Sequence, residues 1–224
     1  MENAIYNLDT GRDLSGQVLS KFSIALLVMT IGMVVGAMFI PPAIAAMMPI
    51  VCLVMLIVAF VARAFQRRKD GTAAGLSMGF VYFFAALEGV GLYPTLMYYT
   101  QSIGANLVIA AFGISFVLFF GLATYAKHTE RDFIQFGSIL FMGLIALLLV
   151  SIVGIFIQAT ALQIAICAGG IFIFSGYVLY DIQVMRSGMM TEADVPMMVL
   201  NLFLDFINIF LYVLRLLAMF ASDN

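Results

Sequence analysis

Apolar residues come in long runs along the chain, interrupted by short polar or charged stretches. Seven runs have the length of a crossing helix, at roughly 21–40, 43–62, 73–98, 106–126, 133–156, 160–181 and 197–219. About 20 apolar residues span the ~30 Å hydrocarbon core of a bilayer as an α-helix. Transmembrane barrels instead use short alternating segments, and none occur here. The pattern therefore predicts an all-α integral membrane protein, a seven-helix bundle. A polar segment, 1–20, precedes a single membrane domain, 21–224.

Composition agrees: 64% of residues are hydrophobic and 10% charged, with a mean hydropathy of +1.14. Soluble domains carry about a quarter charged residues. The net charge of −2 carries little information, but the distribution of charge does. Arg12 and Lys21 precede the first run, and Arg63, Arg67, Arg68 and Lys69 follow the second. Lys127 and Arg131 lie between the fourth and fifth, and Arg186 between the sixth and seventh. The other connections, "PPAIAAMMP", "YYTQSIGAN" and "FIQATALQ", carry no Lys or Arg. Positive residues collect on the cytoplasmic side of membrane proteins. The expected topology has a cytoplasmic N-terminus and an outside C-terminus, with only Arg215 toward the far side. No signal peptide is expected, since the N-terminus lacks a basic start followed by a short apolar core. Basic patches with interleaved aromatics are missing, so no nucleic-acid partner is expected. The single histidine, His128, excludes a His/Cys zinc cluster. Cys52 and Cys167 read as small buried hydrophobes.

Two glycine series, Gly71/Gly75/Gly79 and Gly32/Gly36, have the four-residue spacing that lets membrane helices approach closely. "GLSMG" (75–79) matches the Gly-x-Ser-x-Gly elbow in letters only, because it opens a membrane helix and no histidine base is at hand. "LEGVGLYP" (87–94) sets Glu88 beside a break at Pro94, which removes a helix hydrogen bond. Glu88 could serve an ion-binding discontinuity, or simply bond to a neighbouring helix.

The acids of the last two runs carry the strongest signal. Asp181 closes "SGYVLYDIQVM" (175–185), and Asp205 sits within "NLFLDFINIFLY" (201–212). In the last run Asn201, Asp205, Asn208, Tyr212 and Arg215 recur at spacings of four and three, hence on one helical face. Such a stripe cannot face lipid, so the seventh helix is expected to be central. Asp181 stands about five residues before the connecting loop and Asp205 about nine after it. These offsets place them roughly 8 and 14 Å from the loop ends, at similar depth in antiparallel neighbours. Two close carboxylates in a low-dielectric site cannot both ionise cheaply, so they share a proton and titrate together. Such a pair could sense pH, bind a cation through hard oxygens or do acid–base chemistry. It could also be an interhelical hydrogen bond that fixes packing.

The stretch "SGYVLYDIQVM", with its small and aromatic residues ending in Tyr-Asp-x-Gln, followed by a helix of the type "LFLDFINIFLYVLRLL", resembles the transmembrane Bax inhibitor motif family. The resemblance covers essentially the whole chain. It implies six helices around a central seventh, and a pH-sensitive calcium leak governed by an aspartate pair that Asp181 and Asp205 match. It further implies a basic latch at the end of the second helix, for which Arg63 in "FVARAF" is the candidate ahead of Arg67. Calcium could be held by Asp181 and Asp205, with Asn201, Asn208 or backbone carbonyls completing its shell. No resident cofactor is expected. Short tails point to a bacterial inner membrane rather than a eukaryotic organelle. Three other readings stand beside the leak. One is a non-conducting regulator of a membrane protease or another membrane partner. Another is an intramembrane aspartyl protease, which the "LFLD" context disfavours. The last is a proton-coupled transporter using Glu88.

Overall fold

The computed structural model describes residues 2–70, 75–157, 159–188 and 190–222, and no strand occurs among them. Its helices are α1 (Glu2–Phe39), the single turn α2 (Pro42–Ala45), α3 (Met48–Asp70), α4 (Met78–Ile103), α5 (Ala105–His128), α6 (Gly137–Phe156), α7 (Thr160–Arg186) and α8 (Val195–Ser222). Seven spans are long and apolar enough to cross a membrane; α2 and α3 together make the second. Large apolar side chains point outward along them, among them Phe156, Phe172 and Phe39 at 82%, 78% and 74% exposure. Water would penalise that surface by roughly 25 cal/mol per Å², and hydrocarbon would not. The last span is the most buried: 67% of its most apolar window is enclosed, against 11–44% for the others. That is the environment its polar stripe demands.

Local chemistry sets the helix ends. Pro42 and Pro49 each stand in the first turn of their helix, where a missing N–H costs nothing. Pro49 cannot donate back to Ala45, so the second span breaks between α2 and α3. The third span starts later than its apolar run suggests. Ser77 accepts a hydrogen bond from the Phe80 N–H (3.1 Å) and caps α4. Gly75 therefore precedes the helix instead of sharing a face with Gly79, and Gly71 lies outside the described residues. Gly104 (φ +87°) and Gly188 (φ +69°) turn the chain after α4 and α7, a conformation open to glycine at no steric cost. Pro196 falls in the first turn of α8, as its position in the sequence predicts. Ahead of it, the Asp194 carboxylate accepts from the Thr191 N–H (3.0 Å) and hydroxyl (2.7 Å).

The chain divides into two units. In the first, residues 12–98 and 190–203, α1 and α4 meet backbone to backbone. Any Cβ on Gly32 would strike the Ala86 carbonyl, and one on Gly89 would strike the main chain of Met29. The Tyr93 hydroxyl donates to the Ile40 carbonyl and pins the end of α1. Phe84 and Phe203 pack edge to face, with centroids 6.2 Å apart.

The second unit comprises residues 1–11, 99–189 and 204–224. Within it α7 packs on both α5 and α6. Phe206 meets Phe112 and Phe119 edge to face at 5.9 and 5.4 Å.

Candidate functional site

Helix α7 presents two working faces. Along one, Ile173, Gly176 and Tyr180 pack on Gly143, Leu140 and Gly137 of α6. Along the other, Tyr212 of α8 lies over Gly170, and its ring stacks on Phe174 at 6.1 Å. Gly170, Phe174, Tyr177 and Asp181 follow spacings of four, three and four, so all share the face turned to α8.

Asp181 is the last of that series. It is 2% exposed, and Asp205 of α8 is 4% exposed. Each carboxyl group lies within electrostatic reach of the other, and the Tyr177 hydroxyl is within reach of both. The Oδ2 atom of Asp205 is enclosed and has no hydrogen-bond partner among the described residues. Leaving a buried polar atom unsatisfied costs about 1–3 kcal/mol. The two acids that the spacing singles out are thus both buried, on helices of the same unit. Such a pair can take up a proton, or offer hard oxygens to a cation. Among the described residues no third His, Cys, Asp or Glu joins them in a metal-holding group.

The remaining stripe residues of α8 are less enclosed. Asn201, Asn208 and Tyr212 are half-buried and Arg215 is exposed. The Asn208 amide donates to the Leu204 carbonyl of its own helix (2.7 Å). Tyr212 hydrogen-bonds the Ser151 side chain. Arg215 donates to Gln163 Oε1 (2.5 Å), whose own amide donates to the Gly154 carbonyl (2.7 Å). Glu88 belongs to the other unit, where it accepts a hydrogen bond from the buried Cys52 thiol. Arg63 lies within α3, and its side chain is outside the described residues.

Sequence reasoning missed three participants. Cys52 reads as a plain small hydrophobe, because nothing in one sequence places it opposite Glu88. Tyr177 and Gln183 both sit inside the quoted 175–185 stretch, but only three-dimensional packing shows what each touches. Gln183 Oε1 accepts from the Phe133 N–H and its Nε2 donates to the Arg131 carbonyl, both at 2.5 Å.

Comparison with known proteins agrees with this architecture. The family described as inhibitor of apoptosis-promoting Bax1 matches residues 10–222. An uncharacterized protein of Helicobacter pylori (strain J99) is 30% identical over 169 residues, 75% of this chain and 70% of that protein. An uncharacterized membrane protein of Vibrio cholerae is 30% identical over 178 residues, 79% of this chain and 78% of that protein. A Golgi anti-apoptotic protein of Vaccinia virus (strain Lister) is 35% identical over 112 residues, covering 50% and 47% of the two chains. With seven apolar spans and a match over nearly its full length, the chain belongs to the Bax inhibitor family of multi-pass membrane proteins.

Proposed function

We propose that this protein is a pH-sensitive calcium leak whose gate is the protonation state of the Asp181–Asp205 pair. The observation that carries the reading is the enclosed, unpartnered Asp205 Oδ2 beside Asp181. A structural hydrogen bond would satisfy that oxygen; a proton- or cation-accepting site leaves it available. In this mechanism the N-terminus is cytoplasmic, as the distribution of Lys and Arg favours, and the membrane is a bacterial inner membrane. At neutral pH the pair, sharing one proton or holding a cation, is tied to Arg63 and closes the cytoplasmic mouth. Further protonation neutralises the acids and releases Arg63, and the second span swings away. Calcium passes by exchanging hydration oxygens for carboxylates and for Asn201 or Asn208, a weak two-acid site suited to transit rather than storage. The bilayer and calcium are the partners this mechanism requires, and no resident cofactor or enzymatic step enters it.

Calcium flux in proteoliposomes across a pH series tests the reading. Wild type should leak more as pH falls, and Asp181→Asn and Asp205→Asn should each flatten that dependence. A flux whose pH profile survives both substitutions removes the aspartate gate.

A second reading has its own support in the printed name of the viral relative, an anti-apoptotic protein. On that reading the chain is a non-conducting regulator of a membrane partner, such as a protease, and the acid pair only fixes packing. Absence of flux together with stoichiometric co-purification of a membrane partner favours it. An intramembrane aspartyl protease fits less well, because the bulky residues of "LFLD" leave little room for a substrate backbone at Asp205. A proton-coupled transporter would need Glu88 as its coupling acid, and the Cys52 hydrogen bond gives that side chain a structural partner.

A further inference from the structure

Gln183 is buried (8% exposed) at the end of α7 that also carries Asp181. Two residues apart on a helix, the two side chains point about 200° from one another. Asp181 faces α8, and Gln183 faces the connection between α5 and α6. There its amide bridges the main chain two residues apart, accepting from Phe133 N–H and donating to Arg131 C=O (both 2.5 Å). This is the pattern a β-strand edge would supply, made by one side chain. One turn on, Arg186 donates to the Ala126 carbonyl (3.1 Å) in the last turn of α5, where helix carbonyls lack intrahelical donors. Tyr180, one turn before, fills the space over Gly137 at the start of α6.

These three contacts fix how far α7 is rotated and how deep it sits. A helix held on one face cannot turn the opposite face without breaking the hold. Swinging the Asp181 carboxyl away from Asp205 by a quarter turn would strip the Gln183 amide of both partners. Those partners, Phe133 N–H and Arg131 C=O, are backbone groups of a connection in which Phe133 is half-buried and Arg131 exposed.

We infer that Gln183 is a positioning residue for the aspartate pair: by clamping the α5–α6 connection it sets the direction in which Asp181 faces Asp205. This rests on the reading of the pair as a gate. The titratable groups whose charges meet at Asp181's face include, among the described residues, Asp205 from α8 and Tyr177 from α7, with Tyr180 adjoining Tyr177. Gln183 itself does not titrate, so any change it causes in pH response must act through geometry. The α5–α6 connection, which carries Glu130, Arg131 and Asp132, thereby becomes mechanically coupled to the pair.

The test uses the full chain in proteoliposomes and two variants, Gln183→Leu and Gln183→Glu. One readout is the pH midpoint of calcium flux. The other, independent of conduction, is the ¹⁹F resonance of Tyr177 in 3-fluorotyrosine-labelled protein, assigned with Tyr177→Phe. Gln183→Leu removes both bonds at nearly constant volume. It should move the flux midpoint by about half a pH unit or more, roughly threefold in proton affinity, and displace the Tyr177 resonance. Gln183→Glu keeps the acceptor for Phe133 and regains a donor only when protonated. Its Tyr177 resonance should lie between wild type and the leucine variant at about pH 8 and move toward wild type as pH falls through about 4, the ordinary glutamate range. A leucine variant that melts earlier but keeps both the wild-type midpoint and the wild-type resonance overturns the inference, leaving Gln183 as a loop anchor. If the leucine variant does not fold, the glutamate variant decides by the same two readouts. If wild type shows no pH-dependent flux, the gate reading fails, and the Tyr177 resonance alone decides whether Gln183 positions the pair.

Discussion

The ring of Tyr212 occupies the space in which Gly170 would carry a Cβ, so α8 lies against the bare backbone of α7. A larger residue at 170 would wedge the two helices apart. Gly170→Leu should therefore lower the thermal midpoint in detergent, overpacking of this kind costing about 1–3 kcal/mol. It should also weaken any pH dependence of flux. Tyr212→Phe keeps the ring and loses only the Ser151 hydrogen bond, at about 1 kcal/mol. A leucine variant as stable as the phenylalanine variant would show that α7 and α8 tolerate separation.

Asp205 supplies a prediction in which stability and function part company. Its unpartnered Oδ2 is a cost to the folded state, so replacing the carboxyl by a hydrocarbon should raise stability. Asp205→Leu is expected to melt higher, by an amount equivalent to about 1–3 kcal/mol, while its flux no longer responds to pH. Thermal melts and flux assays on one preparation check both halves. A variant that is destabilised would mean that the second oxygen is satisfied in the membrane-embedded protein.

Glu88 should behave in the opposite manner. Its carboxylate is held by the Cys52 thiol on α3, so Cys52→Ala should cost about 1 kcal/mol. Glu88→Gln should leave the pH profile of flux intact, because an amide oxygen still accepts from the thiol. Loss of pH dependence in Glu88→Gln would transfer the sensing role to this residue.

Much of this was legible in the chain before any coordinates. The seven spans follow from hydrophobic length, and the burial of α8 follows from a stripe that lipid would refuse. Illegible features depend on which side chain meets which backbone group across distant segments. Gln183 reaches residues 50 and 52 positions away, and Cys52 meets Glu88 across two helices. No periodicity encodes such meetings. The start of α4 was misread for a different reason: glycine spacing on paper resembles a helix face, whereas the Ser77 cap places Gly75 outside it.

Arg63 and Arg67 are separated by one helical turn in α3, and only the residue nearer the membrane should latch. Under the proposed mechanism Arg63→Ala releases the closed state, so flux at neutral pH should rise toward the acid level of wild type. Arg67→Ala should leave the profile unchanged. Equal effects from both substitutions would point to a general basic surface at the bilayer instead of a specific latch.

The crossing of α1 over α4 yields the sharpest contrast in stability. A Cβ added to Gly89 would strike the Met29 main chain and sit 2.9 Å from the Met33 nitrogen. Neither is a flexible side-chain end that can move aside, so Gly89→Ala must push two backbones apart. Gly113 of α5 has nothing within 4 Å in its Cβ direction, and there alanine adds only helix propensity, about 1 kcal/mol in its favour. The same chemical change should therefore lower the melting temperature at 89 and hold or raise it at 113. Because the α1–α4 crossing lies within the unit that contains neither aspartate, Gly89→Ala should reduce the folded fraction while leaving the pH midpoint of the surviving flux at its wild-type value. A shifted midpoint would show that strain at Met29 reaches the acid pair, and would extend the gate beyond α7 and α8.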